Sequence, residues 1–524
     1  LLTLLALDLG NTAKAVIGIG GLVFVHELGH FLVGRMCGVK AEAFSIGFGP
    51  VITRWQPGET EYRFSAIPLG GYVKFLGENP DERGEIDPRS FFAATYPRKV
   101  AIMLAGVTMN LIAAFVLFVA AFSAGVDVVA PVIGAVRPGL PAAEAGLLPG
   151  DRFVTVNGDR ILDFDDVAQR AALGDELEVV VRRDGRELPA IRIRTQFVKS
   201  QGMRMIGVEP ALDLGGEFAP VSGSVAEKNG LRLGDRVVAV GGAPVANLDE
   251  AVARSADAPG GVARWTVQRD GSRVDVDLPV TAWRIGISVA PDAAAGDGLV
   301  IVPETDPARP RPAHDAGLPA RARVVAADGV TVRTLDDVKK AVNDAGTAGR
   351  AVKLLWRPEA GGDATETEIR PARFPATLSE IGIQVPYRRE TVREGNVLAA
   401  SAMGLERTHR WVMNIFATLR SLVTGDVSAT NLQGPIRISR DTYRSADTGW
   451  PYLFMFLGMI SMNLAVLNVL PVPLLDGGQL ALITAEKIRG KPLPERVVEG
   501  IQWTGFVVLI SFMLFVIVND LRHM

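Results

Sequence analysis

Four stretches of the 524-residue chain are nearly free of ionisable side chains, and they limit what it can fold into more than any other feature. Ala15 to Gly34 holds Glu27 as its only acidic or basic residue besides histidine, while Val100 to Val126, Thr448 to Leu475 and Gly500 to Asn519 hold none. A helix needs about 20 apolar residues to cross a bilayer, and charges in hydrocarbon are costly. Four crossings are therefore expected. The first stretch carries His26, Glu27 and His30 and lacks a small-residue cleavage site, so it is read as a retained span rather than a signal peptide.

Basic residues orient these spans. Arg35, Lys40, Arg98 and Lys99 flank one short connection, and Lys487, Arg489, Lys491 and Arg496 fill another, which predicts that both face the cytoplasm. Asp127 to Asp447 and both termini then lie on the opposite side. The formal net charge of -3 leaves no positive excess for a polyanion, so no nucleic acid partner is expected. The single cysteine, Cys37, excludes an internal disulfide.

The long insert repeats itself. Gly146-Leu-Leu-Pro-Gly150-Asp151 returns as Gly230-Leu-Arg-Leu-Gly234-Asp235, and a third copy reads Gly317-Leu-Pro-Ala-Arg321-Ala322. Each copy continues to a capped helix start, at Asp163 to Asp166, Asn247 to Glu250 and Thr334 to Asp337. Hairpin turns follow at Asp184-Gly185, Asp270-Gly271 and Gly361-Gly362, and the copies close on Ile206-Gly207, Ile285-Gly286 and Ile381-Gly382. Units of this order resemble the PDZ domains attached to bacterial proteases. The predicted organisation is 1–126 (two spans, the stretch with His26, Glu27 and His30, and a β-hairpin), PDZ-like copies over 127–209, 210–289 and 295–386, a juxtamembrane region over 387–447, and two further spans over 448–524. Ala290 to Gly298 reads as a linker. Replacement of Gly-Asp by Arg321-Ala322 leaves the third loop's geometry open. Peptide binding by strand addition and a purely steric role both remain open for the insert.

His26-Glu27-Leu28-Gly29-His30 places two imidazoles four residues apart on one helical face with a carboxylate beside them, a spacing that suits one zinc ion. A catalytic zinc takes three protein ligands and keeps an open position. The other histidines, His314, His409 and His523, lie outside the spans, so a carboxylate is the better third ligand. Asp476 follows a run broken by Pro471 and Pro473 and precedes Gly477-Gly478, where a helix must be interrupted near a membrane edge. Two other readings stand beside this one: a PDZ-based membrane scaffold with structural histidines, and a two-histidine, one-carboxylate iron site. The adjacent Glu27 favours zinc. Ala43 to Pro50 and Tyr62 to Phe75 alternate and are punctuated by glycine, which predicts a membrane-associated hairpin whose strand edge near Gly47 and Gly49 holds an unwound substrate, with Asn468 beside it.

The segment Asn463-Leu-Ala-Val-Leu-Asn468-Val-Leu-Pro471-Val-Pro473-Leu-Leu-Asp476-Gly477, with the early His-Glu-x-x-His, resembles the site-2 protease family of intramembrane metalloproteases, of the bacterial RseP type. Phe44 to Pro50, Ile67 to Lys74 and Asn431-Leu-Gln-Gly434-Pro435-Ile436 extend the likeness over nearly the whole chain. The resemblance implies His26, His30 and Asp476 as ligands of one zinc per chain, Glu27 as general base, and Asn463, Asn468, Pro471 and Pro473 beside the substrate. It further implies a multi-pass protein of the bacterial cytoplasmic (inner) membrane with an extracytoplasmic insert. The implied substrates are single-span membrane proteins already shortened outside the membrane, such as an anti-sigma factor, or remnant signal peptides. Two departures are Val107 in Ala105-Gly106-Val107-x-x-Asn110, where the family has proline, and three PDZ-like copies instead of two.

Overall fold

The computed structural model describes residues 9–77, 87–137, 139–198, 201–215, 218–255, 258, 261–290, 298–304, 310–376 and 378–522. Most of the expected linker (291–297) and His523 lie outside the described residues. Contacts divide the chain into two compact units, one from residues 1–128, 168–174 and 390–524, the other from 129–167 and 175–389.

In the first unit, four helices are long and apolar enough to cross a membrane: Leu9–Met36, Tyr96–Ala124, Trp450–Val469 and Arg496–Arg522. They are called here the first to fourth spans. The second is the central one, burying Ile102, Ala114, Phe118 and Phe122. Ser461 of the third span donates to the Asn110 carbonyl of the second at 2.8 Å, a bond between two fully buried residues with no water to compete. The fourth span is different: 11% of its apolar window is buried, against 44% for the second. Asp520 near its end accepts from the backbone amides of Gly434 at 2.9 Å and of Ile436 and Arg437 at 3.1 Å. Those amides open the helix Pro435–Thr448 and have no partner within it, so a residue 83 or more positions away supplies the cap. Asn519 donates to the Thr430 and Leu432 carbonyls at 2.8 and 3.0 Å.

β1 (Ala41–Trp55) and β2 (Glu61–Phe75) form the expected hairpin, but it is folded on itself. Ala43, Phe44, Ser45 and Ile46 each have two partners in β2: Lys74 and Glu61, Val73 and Tyr62, Tyr72 and Arg63, Gly71 and Phe64. Residues 43–46 therefore run inside the sheet, and the free edge lies elsewhere.

The second unit is a mixed α+β region. The expected turn and cap chemistry is present. Asp184 and Asp270 have φ of 48°, each followed by a glycine at 80°, the paired left-handed residues of a two-residue hairpin turn. Asp166 N bonds Asp163 Oδ1 at 2.7 Å, Glu250 N bonds Asn247 Oδ1 at 2.9 Å, and Thr334 with Asp337 makes a reciprocal capping box. In the first two copies the Gly-Asp aspartate is buried and held by a two-pronged arginine: Asp151 by Arg183 and Asp235 by Arg269, all four contacts at 2.7 Å. In the third copy Ala322 faces Pro358 on the neighbouring strand. An ion pair has moved next door, from Arg321 to Glu359 at 2.6 Å. Arg321 keeps the left-handed backbone of the glycine it replaces, with φ of 61° against 92° at Gly150 and 87° at Gly234.

The order of the copies differs from the linear reading. Ile206 and Gly207 serve the first copy, their carbonyls accepting from Ala142 and Arg137 at 2.8 Å. The Ile285 and Gly286 carbonyls, read as closing the second copy, instead accept from Ala313 and Glu304 of the third. The Gly382 carbonyl, read as closing the third, accepts from Val221 of the second. The cores agree. One contains Phe218, Trp265 and Leu278 together with Ala376, Ile381 and Ile383; another runs from Ile285 to Ile369. The third copy is thus nested within the second, and the strands Thr281–Arg284 and Ala372–Pro375 pair as the stem through which the chain leaves and returns. The boundaries 210–289 and 295–386 give way to this nesting, because strand partners are chosen in space and the Ile-Gly pieces are alike enough to be exchanged in a linear reading.

Candidate metal centre

The first span carries His26 and His30, both buried, at 7% and 6% exposure. His30 Nδ1 lies 2.8 Å from the Ile102 carbonyl oxygen. A carbonyl only accepts, so Nδ1 carries the proton and Nε2 presents a lone pair. The two Nε2 atoms stand 3.2 Å apart, and Asp476 Oδ2 lies 3.1 Å from that of His26 and 3.4 Å from that of His30. Oδ2 is buried, yet neither contact has the geometry of a hydrogen bond. Two imidazole nitrogens and a carboxylate oxygen converge without bonding one another well, which is the arrangement a shared cation satisfies. Among the described residues this is the one cluster of histidine, cysteine and acidic side chains whose ligand atoms all come within 4.8 Å of one another. Nitrogen and oxygen donors, three in number, fit a zinc ion with one position left open.

Asp476 reaches this point because the third span is stopped early. Pro471 and Pro473 cannot continue a helix, and the span ends at Val469. The chain then doubles back through Leu474, whose φ is 75°, and restarts as the helix Asp476–Arg489. The return is so tight that a Cβ on Gly477 would sit 2.2 Å from the Val469 carbonyl oxygen, and one on Gly478 2.1 Å from that of Val472. The two glycines after Asp476 are thus required by backbone crossing over backbone.

The second span closes the site. A Cβ on Gly106 would lie 2.3 Å from His30 Nε2 and 2.8 Å from His26 Nε2, and one on Gly29 would lie 2.6 Å from the Ala105 carbonyl oxygen. Glu27 is half-buried, with its Cγ 3.5 Å from where a Gly71 side chain would begin, so its carboxyl stands beside the β2 strand.

A model of peptidase family M50 matches residues 14–512. The chain belongs to peptidase family M50. It is 29% identical over 534 residues to the regulator of sigma-E protease RseP of Salmonella typhimurium, covering 98% of this chain and 99% of that protein. It is 32% identical over 518 residues to a putative zinc metalloprotease of Neisseria meningitidis, covering 96% and 97%, and 28% identical over 536 residues to the RseP protease of Escherichia coli, covering 98% and 99%. This M50 peptidase is accordingly a site-2 protease of the RseP-like kind, a zinc metalloendopeptidase embedded in the inner membrane by several spans.

Not every residue expected at the M50 site is there. Asn468 is, with Nδ2 3.3 Å from His26 Nε2. Asn463 is exposed, because five residues turn a helix by about 140° and carry it to another face. Gly47 is buried where the hairpin crosses itself, a Cβ there falling 2.6 Å from the Ile67 carbonyl oxygen, and Gly49 is exposed beyond it. Neither lies beside Glu27; Gly71 to Val73, paired on one side to Phe44–Ile46, does. Pro471 and Pro473 shape the turn to Asp476. His314 contacts Asp315 in the insert and His409 lies in the helix Val397–Thr424, both outside the cluster. Gly106, Ile102 and Asn110 line the site without having been assigned a part from sequence; the four-residue spacing of all three along one span was the available signal.

Proposed function

We propose that the chain hydrolyses peptide bonds in or near the membrane-spanning segment of single-span membrane proteins, with His26, His30 and Asp476 holding one zinc ion and Glu27 as general base. The observation that carries this reading is the convergence of two imidazole Nε2 atoms and an unbonded carboxylate oxygen between spans. Zinc bound there supplies a Lewis acid that polarises a carbonyl and makes water nucleophilic at neutral pH. Glu27, adjacent in sequence but outside the ligand cluster, is left to take the proton from water and return it to the departing amine. His30 is held by the Ile102 carbonyl so that its lone pair faces inward.

A substrate helix must unwind before its carbonyl can be attacked, and in lipid its freed backbone needs new partners. Gly71 to Val73 has no strand on its outer side among the described residues and runs beside Glu27, so it can receive an extended segment by strand addition. Asn468 supplies a further amide at the same place. Relatives named as regulators of sigma-E support an anti-sigma factor, cut first outside the membrane, as substrate; remnant signal peptides fit the same chemistry. The basic connections support a topology with both termini and the PDZ-like copies outside the cytoplasm. A cleft of about 760 Å³ lies between Ile285 to Ser288 and the helix bearing Val338 and Val342, and supports ligand binding there.

The test is cleavage of a panel of single-span substrates by purified protein, with zinc content measured on the same samples. Glu27→Gln is expected to keep zinc and lose on the order of 10²–10⁴ in rate, the range typical of a general base, whereas His30→Ala and Asp476→Ala lose zinc as well. Undiminished cleavage by Glu27→Gln refutes its role.

A further inference from the structure

We propose that Asn110 fixes the tautomer of His26 and thereby makes its Nε2 available as a ligand; this rests on the reading of His26 as a zinc ligand. Asn110 is fully buried on the second span, and the Ser461 hydroxyl pins its backbone carbonyl at 2.8 Å. Its amide end lies 3.1 Å from His26 Nδ1, and its other polar atom, Oδ1, is buried without a hydrogen-bond partner. His26 is thus the side chain's hydrogen-bonding contact.

Which end of an amide is oxygen is settled by hydrogen-bonding logic, since the two ends have the same shape. With the nitrogen facing His26, Nδ1 must accept, the ring proton sits on Nε2, and no lone pair points at Asp476. With the oxygen facing His26, Nδ1 donates and Nε2 is bare. His30 already shows the second arrangement, its Nδ1 donating to the Ile102 carbonyl. A cation shared by both Nε2 atoms and Asp476 requires both to be bare, so Asn110 Oδ1 faces His26. Ile102, Gly106 and Asn110 stand at four-residue intervals on one stripe of the second span and divide the work: an acceptor for one imidazole, a gap that admits both rings, and an acceptor for the other.

Asn110 is therefore a positioning residue, and partners of this kind are worth about 10–100-fold in metal affinity. The experiment measures zinc dissociation constants by chelator competition on the full chain in lipid nanodiscs. Asn110→Leu, close in volume with no acceptor, is expected to weaken zinc by about 10–100-fold. Asn110→Asp, an acceptor only, is expected to stay within about threefold of wild type. Ser461→Ala cuts the neighbouring bond between spans without touching the imidazole and is also expected to stay within about threefold. Unchanged affinity in Asn110→Leu, or an equal loss in Ser461→Ala, overturns the proposal. Nitrogen-15 shifts of His26 in the zinc-free wild type test it without any variant: a proton on Nδ1 supports it and a proton on Nε2 overturns it. His26→Ala is the separate control, because zinc binding that survives it refutes the ligand assignment itself.

Discussion

Gly106→Ala adds a single methyl group, and the structure states what that group meets. Its Cβ would fall 2.3 Å from His30 Nε2, 2.6 Å from His26 Cε1 and 2.8 Å from His26 Nε2. Ordinary contact begins at about 3.5 Å, so one imidazole or the span must move by about 1 Å. His30 cannot swing freely, because the Ile102 carbonyl holds Nδ1, and the span cannot retreat without opening the Gly29–Ala105 contact. Overpacking of this kind costs about 1–3 kcal/mol in stability, and a displacement of about 1 Å at reacting groups costs about 10²-fold in rate. The expected outcome is a folded protein whose zinc affinity and cleavage of a short single-span substrate both fall by about two orders of magnitude. Measuring both on one preparation, with Gly21→Ala as a helix control that meets nothing within 4 Å, separates site damage from helix effects. A Gly106→Ala protein with wild-type zinc affinity and turnover would refute the claim that the second span walls the metal centre.

Excising 285–371 and joining Arg284 to Ala372, which face each other in the stem, through a two-residue Asn-Gly turn should leave the second copy resistant to limited proteolysis. Deleting 295–386 should unfold it, since Ile381 and Ile383 leave its core at about 2–5 kcal/mol each; equal resistance of the two deletants would contradict the nesting. At Asp151, burial works to raise the carboxyl pKa, but the Arg183 guanidinium and the Leu148 amide outweigh it and hold it below the ordinary value. A depressed folded pKa means that the unfolded chain binds the proton more readily, so this stabilisation is complete above the unfolded value of about 3.9 and is lost as pH falls through the folded one. Asp151→Asn should lower stability by on the order of 2 kcal/mol at pH 7, with the gap to wild type narrowing as pH falls below the unfolded value of about 3.9 in melts of the two proteins; a gap that is constant with pH rules the pairing out.

The spans were legible because a charge-free run about 20 residues long has few other fates, and the two histidines because spacing alone puts them on one face. Asp476 was legible from what surrounds it: prolines that stop a helix and glycines that let backbone cross backbone. Residues 43–46 were not, since alternation announces a strand without saying that it will be paired on both sides. Asn463 enters beside Asn468 through the family resemblance of the whole segment, although their five-residue separation puts them on different faces of a helix. Gly106 and Asn110 act on side chains some 80 positions away, and that pairing exists only once the spans have packed.

The stem at Thr281–Arg284 and Ala372–Pro375 makes the third copy a cassette. Because the chain leaves and re-enters at neighbouring backbone positions, an ancestral duplication could be acquired there, or shed again, without shifting the ends of the host fold. Length variation among chains of this architecture is then expected to accumulate at such a stem, where whole modules come and go. The turn from Pro471 to Gly478 has no such freedom, and there a single methyl group added at Gly477 or Gly478 meets the backbone of the preceding turn.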